Sequence, residues 1–186
     1  MDTERVPQEV GSRISVVGTC GAGKTTVARA LAKRLGLVDI ELDALSWGPD
    51  WTMRPDDVFR AGITSAAAGD RWVIDGNYSK ARNTVWARAD TVVWLDYSFA
   101  RVFTRLLWRT LRRAFTREEL WHGNRESLRM SFLSRDSILL WAIKTHRRRH
   151  REYSELLARP ENKHLIVVRL RCPREATRWL DDVRSR

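Results

Sequence analysis

The chain predicts an α/β fold, a three-layer α/β/α sandwich built on about five parallel strands. Three observations lead there. Short apolar runs alternate with longer stretches whose apolar residues recur three and four apart. A G-x-x-x-x-G-K-T turn, Gly18 to Thr25, stands where the first run hands over to the first periodic stretch. Strands joined by helices must pair in parallel through right-handed crossovers.

In chain order, residues 14–17 (Ile-Ser-Val-Val) read as the first strand. Residues 24–35 read as a helix with Ala28, Leu31, Ala32 and Leu35 on one face. A second strand is expected over 38–42. The next helix, 55–68, opens on Pro55 and stops before Gly69. Residues 72–74 and 91–95 follow as the third and fourth strands. A helix over 98–114 carries Val102, Phe103, Leu106, Leu107 and Leu111 on one side and arginines on the other. A long helix is expected over 135–158, then a fifth strand at 165–170 and a closing helix over 174–183. The stretch from about 116 to 151 has no strand pattern and reads as a helical lid inserted into a single domain spanning 1–186.

Composition narrows the field. With 43% hydrophobic and 31% charged residues, the chain is globular rather than disordered. No run approaches the roughly 18 apolar residues a membrane span needs. The start, Met1-Asp2-Thr3-Glu4-Arg5, lacks the basic and then apolar regions of a secretion signal, so a cytoplasmic protein with no membrane partner is expected. Cys20 and Cys172 lie far apart and outside any C-x-x-C pattern, which predicts neither a disulfide framework nor a zinc site. The net charge of +11 favours anionic partners, whether phosphates, nucleotides or nucleic acid, without choosing among them.

The glycine-rich turn is the strongest signal. Its glycines let successive N–H groups converge on phosphate oxygens, and the helix behind adds the positive end of its dipole. The expected cradle comprises Gly18, Cys20, Gly21, Ala22, Gly23, Lys24, Thr25 and Thr26. Lys24 would reach the β- and γ-phosphates of ATP, and the Thr25 hydroxyl would ligate Mg²⁺. Ligands in open α/β sheets bind at the carboxyl ends of strands. Two acids stand at such ends, Asp43 after the second strand and Asp75 after the third. A phosphotransferase needs a carboxylate for Mg²⁺ and another for the acceptor hydroxyl; each residue alone reads equally as a helix cap or a turn residue.

The P-loop, the L-D-x-L-x-W-x-x-x-W segment (42–51), the W-V-I-D-G-N-Y segment (72–78) and A-D-T-V-V-W-L-D (89–96) together resemble adenylate-kinase-related P-loop kinases. More narrowly, they resemble the bacterial branch often labelled DNA topology-modulation proteins. The resemblance covers nearly the whole chain. It implies a nucleoside-monophosphate-kinase-like fold with Asp75 and Gly76 beside the Mg²⁺ and the phosphoacceptor. It implies Asp43 on the acceptor hydroxyl, and the loop bearing Arg171 along the adenine. Adenylate kinases continue D-G-[FY]-P-R, whereas here Asn77-Tyr78-Ser79 follows Gly76, which argues against AMP as acceptor.

Arginines remain to be assigned. Arg105, Arg109 and Arg113 lie along the helix that leads into the expected lid, where a planar guanidinium would clamp the transferring phosphate. The same face reads as a solvated surface. Residues 146–151 (His-Arg-Arg-Arg-His-Arg) form a second basic cluster. Trp47 and Trp51 would either stack on the acceptor or pack in the core. The sequence therefore supports a Mg·ATP-dependent kinase acting on a small acceptor. The alternative is an ATP-responsive nucleic-acid-binding protein, or a kinase acting on nucleic-acid ends. Neither the acceptor nor the oligomeric state is legible.

Overall fold

A computed structural model describes residues 6–116, 119–124 and 138–186. Its central sheet has five strands, β2 (Arg13–Gly18), β3 (Val38–Glu41), β4 (Trp72–Asp75), β5 (Thr91–Leu95) and β6 (Ile166–Leu170), in the order β3-β4-β2-β5-β6. Every neighbouring pair is parallel. A two-residue strand β1 (Glu9–Val10) pairs in parallel with β7 (Arg184–Ser185) apart from this sheet. The helices are α1 (Lys24–Leu35), α2 (Leu42–Ser46), α3 (Asp56–Ala66), α4 (Ser79–Trp86), α5 (Phe99–Thr116), α6 (Ile138–Leu157) and α7 (Pro173–Asp182).

Period-two alternation sends successive strand residues to opposite faces. Ile14, Val16, Val73, Val93 and Leu95 pack with Leu31 of α1 and Trp179 of α7 on one face. Val17, Trp72, Ile74, Val92 and Trp94 pack with Ile63 of α3, Val85 of α4 and Tyr153 of α6 on the other. Both faces of β2, β4 and β5 are buried, which is why these strands read as near-continuous apolar runs. Each fully buried side chain of this size contributes roughly 1.5–3 kcal/mol. Asp90 sets the entry of β2 by accepting the N–H groups of Ser12 at 3.1 Å and Arg13 at 3.0 Å.

The expected elements are present, with adjustments. The second strand stops at Glu41, not Leu42, because Leu42 opens α2 and is buried. Asp43 therefore sits in the first turn of a helix. Asp75 is the last residue of its strand rather than the residue after it. Helices α2 and α4 and the short β1–β7 pair were not expected at all. The expected lid over 116–151 lies partly outside the described residues; within them are a 3₁₀ turn at Trp121–Gly123 and the start of α6. Among the described residues, no helix is long and apolar enough to cross a membrane.

Candidate functional site

The centre of the sheet is a topological switch point. β2 has β4 on one side and β5 on the other, so the turn leaving it faces a crevice that both neighbours border. That turn wraps the N-terminus of α1. Gly23 occupies the cap position in the left-handed region (φ 92°), and no side chain caps the helix. The first turn carries no acidic residue either. An uncapped N-terminus leaves several N–H groups and the dipole directed at the crevice. Gly21 (φ 86°) is demanded from outside as well, since a Cβ there would lie 2.7 Å from the Val102 carbonyl of α5. Helix α5 thus presses on the turn from above, with Leu106 fully buried and packed by Cys20, Phe103 and Leu107.

Lys24, Thr25 and Asp75 meet at the mouth of this turn. The Thr25 hydroxyl donates to Asp75 Oδ2 at 2.6 Å. Asp75 is only 4% exposed. Burial raises its pKa to about 6; the Thr25 hydrogen bond and the Lys24 charge oppose this, while Glu41 and Asp43 reinforce it. A hydroxyl and a nearly buried carboxylate side by side, close to an ammonium group, form a hard-oxygen donor pair suited to Mg²⁺ shared with phosphate oxygens. The residues present fit the ion.

Two further acids border the cleft. Glu41 stands opposite Asp75 in the β3–β4 register. It accepts from Arg29 and from Trp121 Nε1, the latter at 2.9 Å. Asp43 accepts the Tyr78 hydroxyl at 2.7 Å on Oδ1. Burial, followed by the Asp43 carboxylate, holds that phenol well above its usual range.

Arg105 comes to the cradle. A Cβ on Gly23 would lie 3.0 Å from Arg105 Nη2. Arg109 and Arg113 follow one and two turns along the same face of α5, each half-buried. Arg171 leaves β6 with an exposed side chain, and its main-chain N–H donates to Glu175 Oε2 at 2.6 Å, which steadies the start of α7. Thr26 is exposed on α1, Cys20 is half-buried and Ala22 is buried in the turn. Trp47 and Trp51 meet edge to face with centroids 5.6 Å apart, both half-buried.

A clasp missed by the sequence reading joins two turns beside the β3 edge of the cleft. Asn124, 5% exposed, accepts the Trp51 N–H at 2.9 Å and donates to the Gly48 carbonyl at 2.8 Å. His122 Nε2 lies 3.1 Å from Arg54 Nη2. The two turns joined here, Pro49–Trp51 and Trp121–Gly123, hold non-glycine residues in the left-handed region, Asp50 (φ 54°) and Trp51 (φ 55°) in the first and His122 (φ 56°) in the second. Asn77 was also missed, although it stands inside the D-G-N-Y segment. Its amide grips Gly18 at the start of the cradle.

No protein-family model matches the chain, nor does a curated protein sequence. Solved structures do. A shikimate kinase from Bacteroides thetaiotaomicron superposes with a TM-score of 0.53 at 18% identity, covering 91% of this chain and 94% of its own. A gluconokinase from Sinorhizobium meliloti gives 0.49 at 22%, covering 92% and 91%. A sugar kinase from a Janibacter species gives 0.48 at 21%, covering 92% and 95%. The shikimate kinase likeness and the strand order agree on the fold: a parallel α/β sheet with the glycine-rich turn at its centre.

Proposed function

We propose that this chain is a Mg·ATP-dependent phosphotransferase acting on a small hydroxylated acceptor. One observation carries the reading: the 2.6 Å pairing of the Thr25 hydroxyl with the buried Asp75 carboxylate beside Lys24, at the mouth of an uncapped helix. The wider family resemblance and the small-molecule kinase that shares the fold are in keeping with it.

In this reading the N–H groups of the turn and Lys24 would hold the phosphates, and Thr25 and Asp75 would hold Mg²⁺. The ion would neutralise charge on the phosphate oxygens. Asp43 orients the acceptor hydroxyl with the carboxylate oxygen that Tyr78 leaves open, and takes its proton as the new P–O bond forms. The bond between the β-phosphate oxygen and the γ-phosphorus breaks, and ADP leaves with the electron pair. Arg105 stabilises the charge spread over the transferring group, with Arg109 and Arg113 behind it. Arg171 borders the base. Positioning and charge stabilisation supply most of the acceleration in such a transfer.

The test is incubation of the pure protein with γ-labelled ATP, Mg²⁺ and a panel of nucleosides, nucleotides, sugars, hydroxylated acids and oligonucleotides. Label should appear on a small hydroxylated compound. Label confined to oligonucleotide ends would move the reading to a nucleic-acid kinase. Tight nucleic-acid binding with no label on any acceptor would replace it with an ATP-responsive binding protein.

A further inference from the structure

The ladder between β2 and β4 ends in an unusual way. It runs in register to Val16 and Asp75, and the Gly76 N–H still reaches the Val16 carbonyl at 3.3 Å. At Gly76 the chain turns away (φ 146°), so the backbone offers Gly18 no further partner on that side. The Asn77 side chain takes over. Its Oδ1 accepts the Gly18 N–H at 3.2 Å, and its Nδ2 donates to the Gly18 carbonyl. A primary amide carries the same donor and acceptor as a peptide group, so it extends the ladder by one step.

The amide is itself held. The Tyr153 hydroxyl of α6 donates to the same Oδ1 at 3.0 Å. The Gly18 N–H and carbonyl determine which way the amide faces, because the flipped form would set its NH₂ against that N–H and its oxygen against that carbonyl. Tyr153 is 2% exposed, and its ring lies 6.3 Å from that of Trp86 and 6.0 Å from that of Trp94. Arg82 sits 5.8 Å above the ring and is ion-paired to Glu152 at 2.5 Å. The hydroxyl is thus presented by a rigid aromatic wall rather than a mobile surface.

We propose that Asn77 is a positioning residue for the phosphate cradle and that Tyr153 anchors it, so that α6 sets the entry of the P-loop from the far side of the sheet. Gly18 is the first residue of the cradle. An error in its orientation propagates into every N–H group that follows. The proposal rests on the nucleotide reading above and names two residues that reading leaves unused.

The test measures dissociation constants by calorimetry for Mg·ATP and for tripolyphosphate, which engages the cradle without a base. Wild type, Asn77→Asp, Tyr153→Phe and Lys24→Ala are compared, with apo melting temperatures and the Gly18 backbone amide resonance. Asn77→Asp keeps the shape and both acceptor contacts but turns a donor into an acceptor facing the Gly18 carbonyl. Loss of one buried hydrogen bond with repulsion in its place should weaken both ligands by a common factor of about tenfold or more. Tyr153→Phe should weaken both by about threefold and shift the Gly18 amide resonance. Unchanged affinities in Asn77→Asp, or a loss for ATP without one for tripolyphosphate, would overturn the positioning role. A Gly18 resonance unmoved by Tyr153→Phe would overturn the anchor. If wild type binds neither ligand, or Lys24→Ala binds both as wild type does, the nucleotide reading falls and this inference with it.

Discussion

Replacing Asp75 by Asn should make the apo protein more stable while destroying its activity. In the folded chain this carboxyl is pushed up to about 6, chiefly by burial. A rise of about two pH units from the ordinary aspartate range corresponds to a cost on the order of 3 kcal/mol for keeping the group ionised at pH 8. The sign follows from the folded pKa lying above the unfolded one. The stability that goes with the neutral carboxyl is fully present below about pH 4 and is lost as the pH rises through about 6. Asparagine is neutral throughout and retains an oxygen for the Thr25 hydroxyl. Asp75→Asn should therefore gain about 1–3 kcal/mol at pH 8 and close to nothing at pH 4. Urea unfolding at the two pH values, without Mg²⁺, measures this. Added Mg²⁺ should stabilise the wild type at pH 8 and leave the variant unmoved. Phosphoryl transfer should fall by orders of magnitude. A variant no more stable than wild type at pH 8, or transfer within about threefold of wild type, would refute the assignment of Asp75 as a strained Mg²⁺ ligand.

Lys24→Ala should weaken ATP binding and reduce turnover at least about a hundredfold, because it removes the ammonium group of the cradle; undiminished turnover in a folded variant contradicts the phosphate site. Gly21→Ala should cost about 2–4 kcal/mol, since its Cβ would meet the Val102 carbonyl at 2.7 Å with φ at 86°. Thermal melting reads this, and a neutral result would mean that α5 does not press on the turn. Arg147→Ala/Arg148→Ala/Arg149→Ala should keep most small-acceptor turnover, whereas Arg109→Ala should lose most of it. Duplex DNA binding by wild type, titrated between about 50 and 200 mM salt, should be weak and steeply salt-dependent. Salt-resistant binding abolished in the triple variant would favour the nucleic-acid reading.

Much of the scaffold was legible in the chain because it obeys local rules. The helix at Lys24–Leu35 and the strand at Thr91–Leu95 coincide with their expected bounds. Their periodicities are unbroken, and glycine marks both ends of the helix. The cradle and Asp75 were legible for a related reason: motif and strand end name them without reference to distant residues. Helix α4 was not legible, because Ser79, Lys80, Arg82, Asn83 and Thr84 outnumber its buried residues Ala81, Val85 and Trp86. Tertiary burial of that short apolar edge overrode weak propensity. Asn77 and Asn124 were hidden for another reason. Each acts on backbone groups dozens of residues away, 59 for Asn77 and Gly18, 76 for Asn124 and Gly48. No spacing rule along the chain encodes such a partner.

The Asn124 clasp bears on how such a cleft can diversify. Among the described contacts, its amide bonds the 48–51 turn through main-chain atoms, the Gly48 carbonyl and the Trp51 N–H. Main-chain recognition is indifferent to side-chain identity as long as the turn keeps its path. The latch itself therefore does not specify the side chains of Asp50, Trp51 and Trp47; the left-handed backbone at 50 and 51 is what limits them. The turn hangs from β3, the rim strand, whereas the cradle hangs from β2 at the hub. Mutational drift at the rim is thereby insulated from the hub. On the proposed function, descendants of this scaffold would exchange acceptors one residue at a time while keeping the same phosphate cradle.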